Sequence, residues 1–404
     1  MRFKDRSRKW GKDWYNVFTT ELKTIFSDSG VMIIFFLAGL AYPLIYGIIY
    51  GGGVVEDTPV AIVDNSCSPS SRRFIRKLDA TAEIRAAYRC TGMEEAERLM
   101  QQRKVNGIVF FPEDYEDAIV SRRQGTVSVY ADMSSFLYYK NLLMAANRVM
   151  LDEMHDIQTS RYSEAGITGQ TASRLVQAIP YDENIRYNPG FAYNVFFLPA
   201  ALMLVIQQTM FYGMSMLSGT AWENRRRLVN KDKGAAVTLT GRGAAYFLIY
   251  IGLGVYVSML VPAIFGLPQN GRPGDILALL LLYIAACVAF SLTFSSLIRH
   301  RETVFVLFLF LSPVCLFLTG FSWPESAFPQ FWRLFSYIFP STFAARGFIN
   351  MNSAGCTLSM TAVQMKALAI QAVIYSISAW YCTRAARDRA PLPDTGTGPL
   401  PPKD

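Results

Sequence analysis

The run FAYNVFFLPAALMLVIQQTMFYGMSML occupies residues 191–217 and is followed at once by SGTAWENRRRLVNKDK at 218–233. The first run carries no charged side chain over 27 residues. At about 1.5 Å of rise per residue it outlasts the roughly 30 Å hydrocarbon layer of a bilayer, so it predicts a transmembrane helix. The second run places Arg225, Arg226, Arg227, Lys231 and Lys233 directly behind that helix. Short loops rich in Lys and Arg are retained on the cytoplasmic side, which sets the direction of this span and, by alternation, of every other one.

The whole chain, 404 residues, is 51% hydrophobic with a mean hydropathy of only +0.21. That is too polar for a protein made only of spans and too apolar for an ordinary soluble one, so a mixture of spans and a folded polar domain is expected. The net charge of +8 is unevenly placed: residues 51–190 hold 16 Lys/Arg against 19 Asp/Glu, and the remainder 23 against 12. The excess cation therefore sits beside apolar runs, where positive-inside topology accounts for it, and no nucleic-acid partner is expected. Six cysteines lie without a C-x-x-C pair, and the two histidines, His155 and His300, are far apart, so no metal site is expected either.

Towards the amino end, residues 1–30 are a basic segment in which Trp14, Phe18, Leu22, Ile25 and Phe26 recur every three or four residues. That spacing predicts an amphipathic helix lying in the membrane interface, the alternative being a helix packed on another subunit. Residues 31–50 are the first span, read as an uncleaved anchor with its amino end inside. Residues 52–190 change character. Strand-like runs such as Val60-Ala61-Ile62-Val63 and Gly107-Ile108-Val109-Phe110-Phe111 alternate with charged helical patterns, which predicts a small α/β domain. Lying between the first span and 191–217, it must be extracytoplasmic. Cys67 and Cys90 would each follow a strand; a disulfide between them is one open reading, two separate thiols the other.

Towards the carboxyl end, a cytoplasmic loop at 218–243 is followed by spans at 244–267, 276–298, 303–322 and 367–383. The fold class expected is thus an α-helical polytopic membrane protein with six transmembrane helices, an inserted α/β extracytoplasmic domain and both termini cytoplasmic. Within the extracytoplasmic segment 323–366, residues 328–345 are apolar but broken by Pro329, Arg333 and Pro340, which suits a re-entrant pair of short helices dipping into the outer leaflet and shielded by other helices. The tail at 384–404 is rich in Pro and Gly and is expected to be disordered.

No G-x-x-x-x-G-K-[ST] loop occurs and no catalytic constellation gathers, so no catalytic residue is assigned and the chain is not expected to be an enzyme. The six predicted spans hold no charge, whereas ion-driven carriers keep an ionisable group at mid-membrane; an external energy source is implied. Gln207 and Gln208 are the most polar side chains at mid-span, among Met203, Met210, Phe211, Tyr212 and Met214. They read either as helix-to-helix hydrogen bonds or, with Met203, Phe211 and Tyr212, as the lining of a path for an amphipathic substrate.

Six spans, a large insert after the first and a basic loop after the second come with Gly320-Phe321-Ser322-Trp323-Pro324, Pro329, Trp332, Tyr337, Phe339-Pro340 and Phe348. Together they resemble the ABC-2 type permeases of bacterial ABC exporters. Val60-Ala61-Ile62-Val63-Asp64-Asn65, Ser71-Arg72-Arg73 and Leu78-Asp79-Ala80 resemble the subgroup with an extracytoplasmic α/β insert. The resemblance implies a permease in the bacterial inner membrane that binds no cofactor itself. A second copy or a sibling permease, and a separate cytoplasmic ATP-binding subunit using ATP and Mg, would complete it. A periplasmic adaptor with an outer-membrane duct is a further partner of the family. It also implies that the loop after the second span docks on the ATPase, here through Trp222, Glu223, Arg225, Arg226, Arg227, Lys231 and Lys233. The family's E-R-E-x-G-T pattern is replaced by Glu223-Asn224-Arg225-Arg226-Arg227, and the basic cluster reads alternatively as an anchor for anionic membrane lipids.

Overall fold

Helix α1 (Arg2–Ser27) buries Val17, Glu21 and Ile25, four residues apart on one face, and exposes Trp10, Tyr15 and Phe26. Asp28 ends it and starts the next helix. Its backbone is extended and its Oδ1 accepts from the N–H groups of Gly30 (3.0 Å) and Val31 (3.2 Å), satisfying donors that a helix start leaves open. Helix α2 (Ser29–Tyr50) widens into π-helical turns at Ile33–Ala38 and carries Pro43 inside. This computed structural model describes residues 2–167, 169–176, 186–188, 190, 192–224 and 234–388. They fall into two units: Val54–Ile185, and the flanks Met1–Gly53 with Arg186–Asp404.

The inserted unit is a four-stranded sheet. Strand β1 (Thr58–Asp64) leads to α3 (Pro69–Asp79), β2 (Ile84–Cys90) to α4 (Met93–Gln101), and β3 (Gly107–Phe111) to α5 (Tyr115–Val120). Strand β4 (Ser128–Ala131) then precedes the long α6 (Phe136–Glu164) and α7 (Gln170–Val176). The strand order is β2-β1-β3-β4, parallel except for β4. β1 is apolar on both faces because both are covered. Val60 and Ile62 pack with Phe74, Leu78, Phe111, Leu142 and Val149, while Ala61 and Val63 pack with Ala96, Val105 and Ile108. α6 is tied to α3 by Lys77, whose Nζ lies 2.6 Å from Asp152, 2.9 Å from Glu153 and 2.7 Å from Asp156. Of the two readings open for Cys67 and Cys90, this structure has the second, two separate free thiols. Val63 stands opposite Cys90 across the parallel pair, but Cys67 lies in the turn beyond β1, where its Sγ donates to Asp64 O at 3.2 Å.

The chain leaves the second unit's flank at Gly53 and rejoins it beside the same point, where Tyr193 N donates to Gly53 O at 2.7 Å. Helix α8 (Tyr193–Glu223) is the most enclosed helix of this unit, with 89% of its most apolar window buried against 17% for Ala362–Ala385. Around it stand α9 (Ala235–Ile264), α10 (Pro273–Ser295) and α11 (Thr303–Leu318), while α14 (Ala362–Asp388) packs chiefly on α10. Between the last two lie α12 (Gln330–Ser336) and α13 (Pro340–Asn352). α13 is packed by its own Ser341, Ala344, Ala345, Phe348 and Met351, all buried, so its backbone is shielded as a short helix inside an apolar body requires. Gln371 Nε2 and Tyr375 OH of α14 donate to Tyr337 O and Ile338 O, pinning the turn between α12 and α13.

Five described helices are long and apolar enough to cross a membrane, and α11, at 16 residues, is a shorter apolar helix rather than the full span expected at 303–322. The third long helix also departs from the expected 244–267. It begins at Ala235, so Arg242 falls inside it, and the expectation of charge-free spans is corrected.

Candidate functional site

Two ionic clusters, the first part-buried and the second buried, lie at the end of this unit where α8 finishes and α2 begins. In the first, Arg301, in the turn between α10 and α11, forms a fork on Asp28: Nη1 donates to Oδ2 at 2.9 Å and Nη2 to Oδ1 at 2.8 Å. Nη1 also donates to Thr220 Oγ1 at 2.9 Å, and the Arg301 backbone N–H donates to Glu223 Oε1 at 2.7 Å. The turn lies so close to α8 that a Cβ on Gly219 would stand 2.7 Å from Arg301 N and 2.8 Å from the His300 carbonyl carbon. Burial pushes the Asp28 carboxyl up, but the Arg301 fork and charge, with the Val31 and Gly30 N–H groups, outweigh it and hold its pKa below the ordinary value. One guanidinium thus joins the ends of α2, α8 and α11.

The second cluster joins α1 to α9. Arg242 Nε and Tyr246 OH both donate to Glu21 Oε1, at 2.9 and 2.7 Å, with all three residues buried. Val17 sits one turn before Glu21 and meets Gly241, where a Cβ would lie 2.9 Å from Val17 Cγ1. Among the described residues Arg242 Nη2 has no hydrogen-bond partner.

Of the residues expected to dock an ATPase, Trp222 and Glu223 are both engaged within the chain. Glu223 holds Arg301, and Trp222, 38% exposed, lies under the Arg299 guanidinium at 5.3 Å. Arg225, Arg226, Arg227, Lys231 and Lys233 lie outside the described residues. The five residues expected along a substrate path lie inside the helix packing. Gln207, 2% exposed, accepts at Oε1 from Ser341 N at 2.7 Å and so satisfies the buried start of α13. Tyr212 OH pairs with Ser312 Oγ at 3.0 Å, Phe211 packs on Phe290, and Gln208 Nε2 reaches Ser312 O at 3.5 Å. Met203 lines a small apolar crevice with Ser258, Leu279, Leu280, Tyr283 and Phe348. This geometry is that of the helix-to-helix reading of Gln207.

In the inserted unit, ligands of parallel α/β sheets bind where neighbouring strands diverge in connection, here beyond β1 and β3. That crevice is filled by the chain itself. Ser70 N donates to Glu116 Oε2 at 3.2 Å, Ser71 N to Ser68 Oγ at 3.1 Å, and Ser71 Oγ to Asp64 Oδ2 at 2.8 Å. Among the described residues no group of three His, Cys, Asp or Glu is placed to hold a metal ion.

The sequence reading did not single out Asp28, Thr220, Arg301, Glu21, Arg242 or Tyr246. Two signals were present: Glu21 stands on the buried face of an amphipathic helix, four residues from both Val17 and Ile25, and Asp28-Ser29-Gly30 is a helix-start pattern directly before a span.

A helical membrane body of several spans with an inserted α/β unit defines the class of this protein as a polytopic membrane protein. Its family follows from comparison with known proteins: the profile described as ABC-2 family transporter protein matches residues 30–381, and the chain belongs to that family. It is therefore a multi-pass membrane component of a transporter. A comparison with curated proteins finds no match.

Proposed function

We propose that this chain is the permease subunit of an ATP-binding cassette exporter that moves an amphipathic substrate outwards across the bacterial inner membrane. Two permeases, identical or siblings, would assemble with two cytoplasmic ATPase subunits, which bind ATP and Mg. The Arg301 junction carries this reading. It ties three helices together immediately before 225–233, the basic segment that would meet the ATPase, so a push on that segment reaches α2, α8 and α11 at once. The Glu21 cluster would extend the same frame through α1 to α9. In this orientation both clusters, and both termini, face the cytoplasm and the inserted unit faces outwards, where an adaptor leading to an outer-membrane duct would meet it.

Co-purification with an ATP-binding subunit, sought among the products of neighbouring genes, tests the reading. Reversing the charge of Arg225, Arg226 and Arg227 should abolish the complex while the permease still inserts, and the intact complex should show substrate-stimulated ATP hydrolysis. Unchanged co-purification would place docking elsewhere; absence of any ATPase partner would favour a membrane receptor or scaffold. That alternative would need a ligand on the inserted unit, and its switch-point crevice is already occupied by Glu116 and Ser68.

A further inference from the structure

The segment between α11 and α12 hangs on one carboxylate. Gly320, at φ +88°, turns the chain away just past the end of α11, and from Ser322 to Leu334 every side chain but Glu325 and Phe328 is exposed. Three half-buried rings, Phe321, Phe328 and Phe335, are its apolar anchors, and Glu325 is its polar one. Glu325 Oε1 accepts from Tyr337 OH at 2.6 Å, and its Oε2 accepts from Arg346 Nη1 of α13. Arg346 Nε reaches back to Thr319 O at 3.4 Å, and a Cβ on Gly320 would stand 3.2 Å from Arg346 Nη2. That Nη2 is buried and, among the described residues, has no hydrogen-bond partner. One guanidinium on α13 thus grips both the end of α11 and the strap that follows it, and a hold made with one donor left open is weaker than a complete one.

We propose that Glu325 and Arg346 form a latch at the outer end of the membrane body, closed in this structure, and that α11 opens it. Movement of the Arg301 turn would shift Thr319 off Arg346, loosen Glu325 and free the strap at 320–329 from α13. The inference rests on the export reading, in which the Arg301 end faces the ATPase, and adds the positioning residues by which the outer end is held and released. Two observations carry it. The first is continuity: α11 starts two residues after Arg301 and ends one residue before Thr319, so a single helix of 16 residues, about 24 Å long, joins the junction to the latch. Pro313 interrupts its ladder once, and beside that point Tyr212 of α8 braces it through Ser312 Oγ at 3.0 Å. The second is the thin burial of the strap, since segments with few buried apolar contacts open at the lowest cost in free energy. Two donors on one carboxylate then decide whether it stays closed.

Hydrogen–deuterium exchange of the full-length chain in lipid nanodiscs tests the latch in two arms. In the first, Glu325→Gln keeps the shape and removes the charge facing Arg346; exchange across 319–329 should rise about tenfold while peptides of α10 stay unchanged. No rise, or an equal rise in α10, overturns the latch as a local hold. The second arm uses the complex with the ATP-binding subunit. Trapping it with ATP and vanadate should raise exchange across the same segment above the nucleotide-free level, and Arg301→Lys should remove that difference; a pair that only stabilises the fold would show neither effect. Unchanged or lowered exchange in the trapped complex overturns the opening, and a rise that survives Arg301→Lys overturns the route through α11. A chain that recruits no ATP-binding subunit overturns the export reading and the coupling with it, while the first arm still decides whether Glu325 holds the strap.

Discussion

Replacing Glu21 by Gln keeps the side chain's shape and removes its charge, and the structure sets the size of the effect. Glu21 is 7% exposed and Arg242 8%; the Arg242 Nε and the Tyr246 hydroxyl both converge on a single Glu21 oxygen, and Arg242 Nη2 has no partner among the described residues. A neutral amide would leave the guanidinium as an uncompensated buried cation, and breaking a buried pair in this way costs about 3–5 kcal/mol. Taking about 3 kcal/mol, the ratio of folded to unfolded protein falls on the order of a hundredfold. Replacing both members by apolar residues of similar volume, Glu21→Leu with Arg242→Met, in a Tyr246→Phe background so that no buried hydroxyl is left without its acceptor, removes the charge together with its partner and should be close to neutral relative to Tyr246→Phe alone. The assay is thermal loss of the monodisperse peak in detergent, followed for wild type and Glu21→Gln, and for Tyr246→Phe with both single variants and the double built on it. The expected coupling between the sites is about 2–3 kcal/mol, since the residues share one hydrogen-bond network. A single-variant loss below about 0.5 kcal/mol, the range of ordinary surface changes, would refute the reasoning. So would a double variant as unstable as the sum of the singles.

The Arg301 junction yields three further outcomes. Arg301→Lys keeps the charge but loses the two-armed contact on Asp28, and should reduce stability by about 1–3 kcal/mol and lower substrate-stimulated ATP hydrolysis; no change in either would dissolve the junction's role. Gly219→Ala places a methyl where Arg301 N stands 2.7 Å away, so the turn must move and stability should fall by about 1–3 kcal/mol; a raised melting temperature would show that the turn yields freely. Because the Asp28 pKa is lowered in the folded state, its contribution is complete above the ordinary carboxylate value and is lost as pH falls through the lowered one. The stability gap between wild type and Asp28→Asn should therefore be flat from about pH 5 to 8 and close below about pH 4, and a gap that changes at neutral pH would assign it to another group.

What was legible in the sequence was whatever depends on local pattern. The uncharged run at 191–217 announces a buried helix because length and apolarity suffice to define one. The continuous apolar run at Val60-Ala61-Ile62-Val63 announces a strand, and the cover on both its faces accounts for the lack of alternation. What was hidden depends on residues far apart meeting. Glu21 and Arg242 lie in different helices and read singly as surface charges; only their mutual burial makes them a pair. The start of α9 was misplaced for the same reason, because Arg242 reads as the edge of a span when its counter-charge is out of sight. Gln207 was ambiguous until Ser341 N, the open donor at the start of α13, was seen to occupy it. Cys67 and Cys90 follow neighbouring strands as a disulfide would require, yet the left-handed turn at Cys67 carries its thiol to Asp64 O.

Stability alone does not account for the Glu21 cluster. If an apolar pair of the same volume is as stable as the ionic one, the charges must serve a property that hydrophobic contact lacks, and that property is register. An apolar α1 could slide along α9 by a turn and exchange one buried aliphatic contact for another, since Val17 and Ile25 stand one turn either side of Glu21. A carboxylate holding both Arg242 and Tyr246 cannot slide without leaving a buried charge unpaired. In a transporter driven from outside the membrane body, a helix that slips absorbs the stroke instead of passing it on. The Glu21→Leu/Arg242→Met variant in the Tyr246→Phe background separates the two roles: it should melt close to Tyr246→Phe alone yet lose the response of ATP hydrolysis to substrate. If the stable double variant remains fully coupled, the stroke passes through the Arg301 junction alone and α1 is only a support.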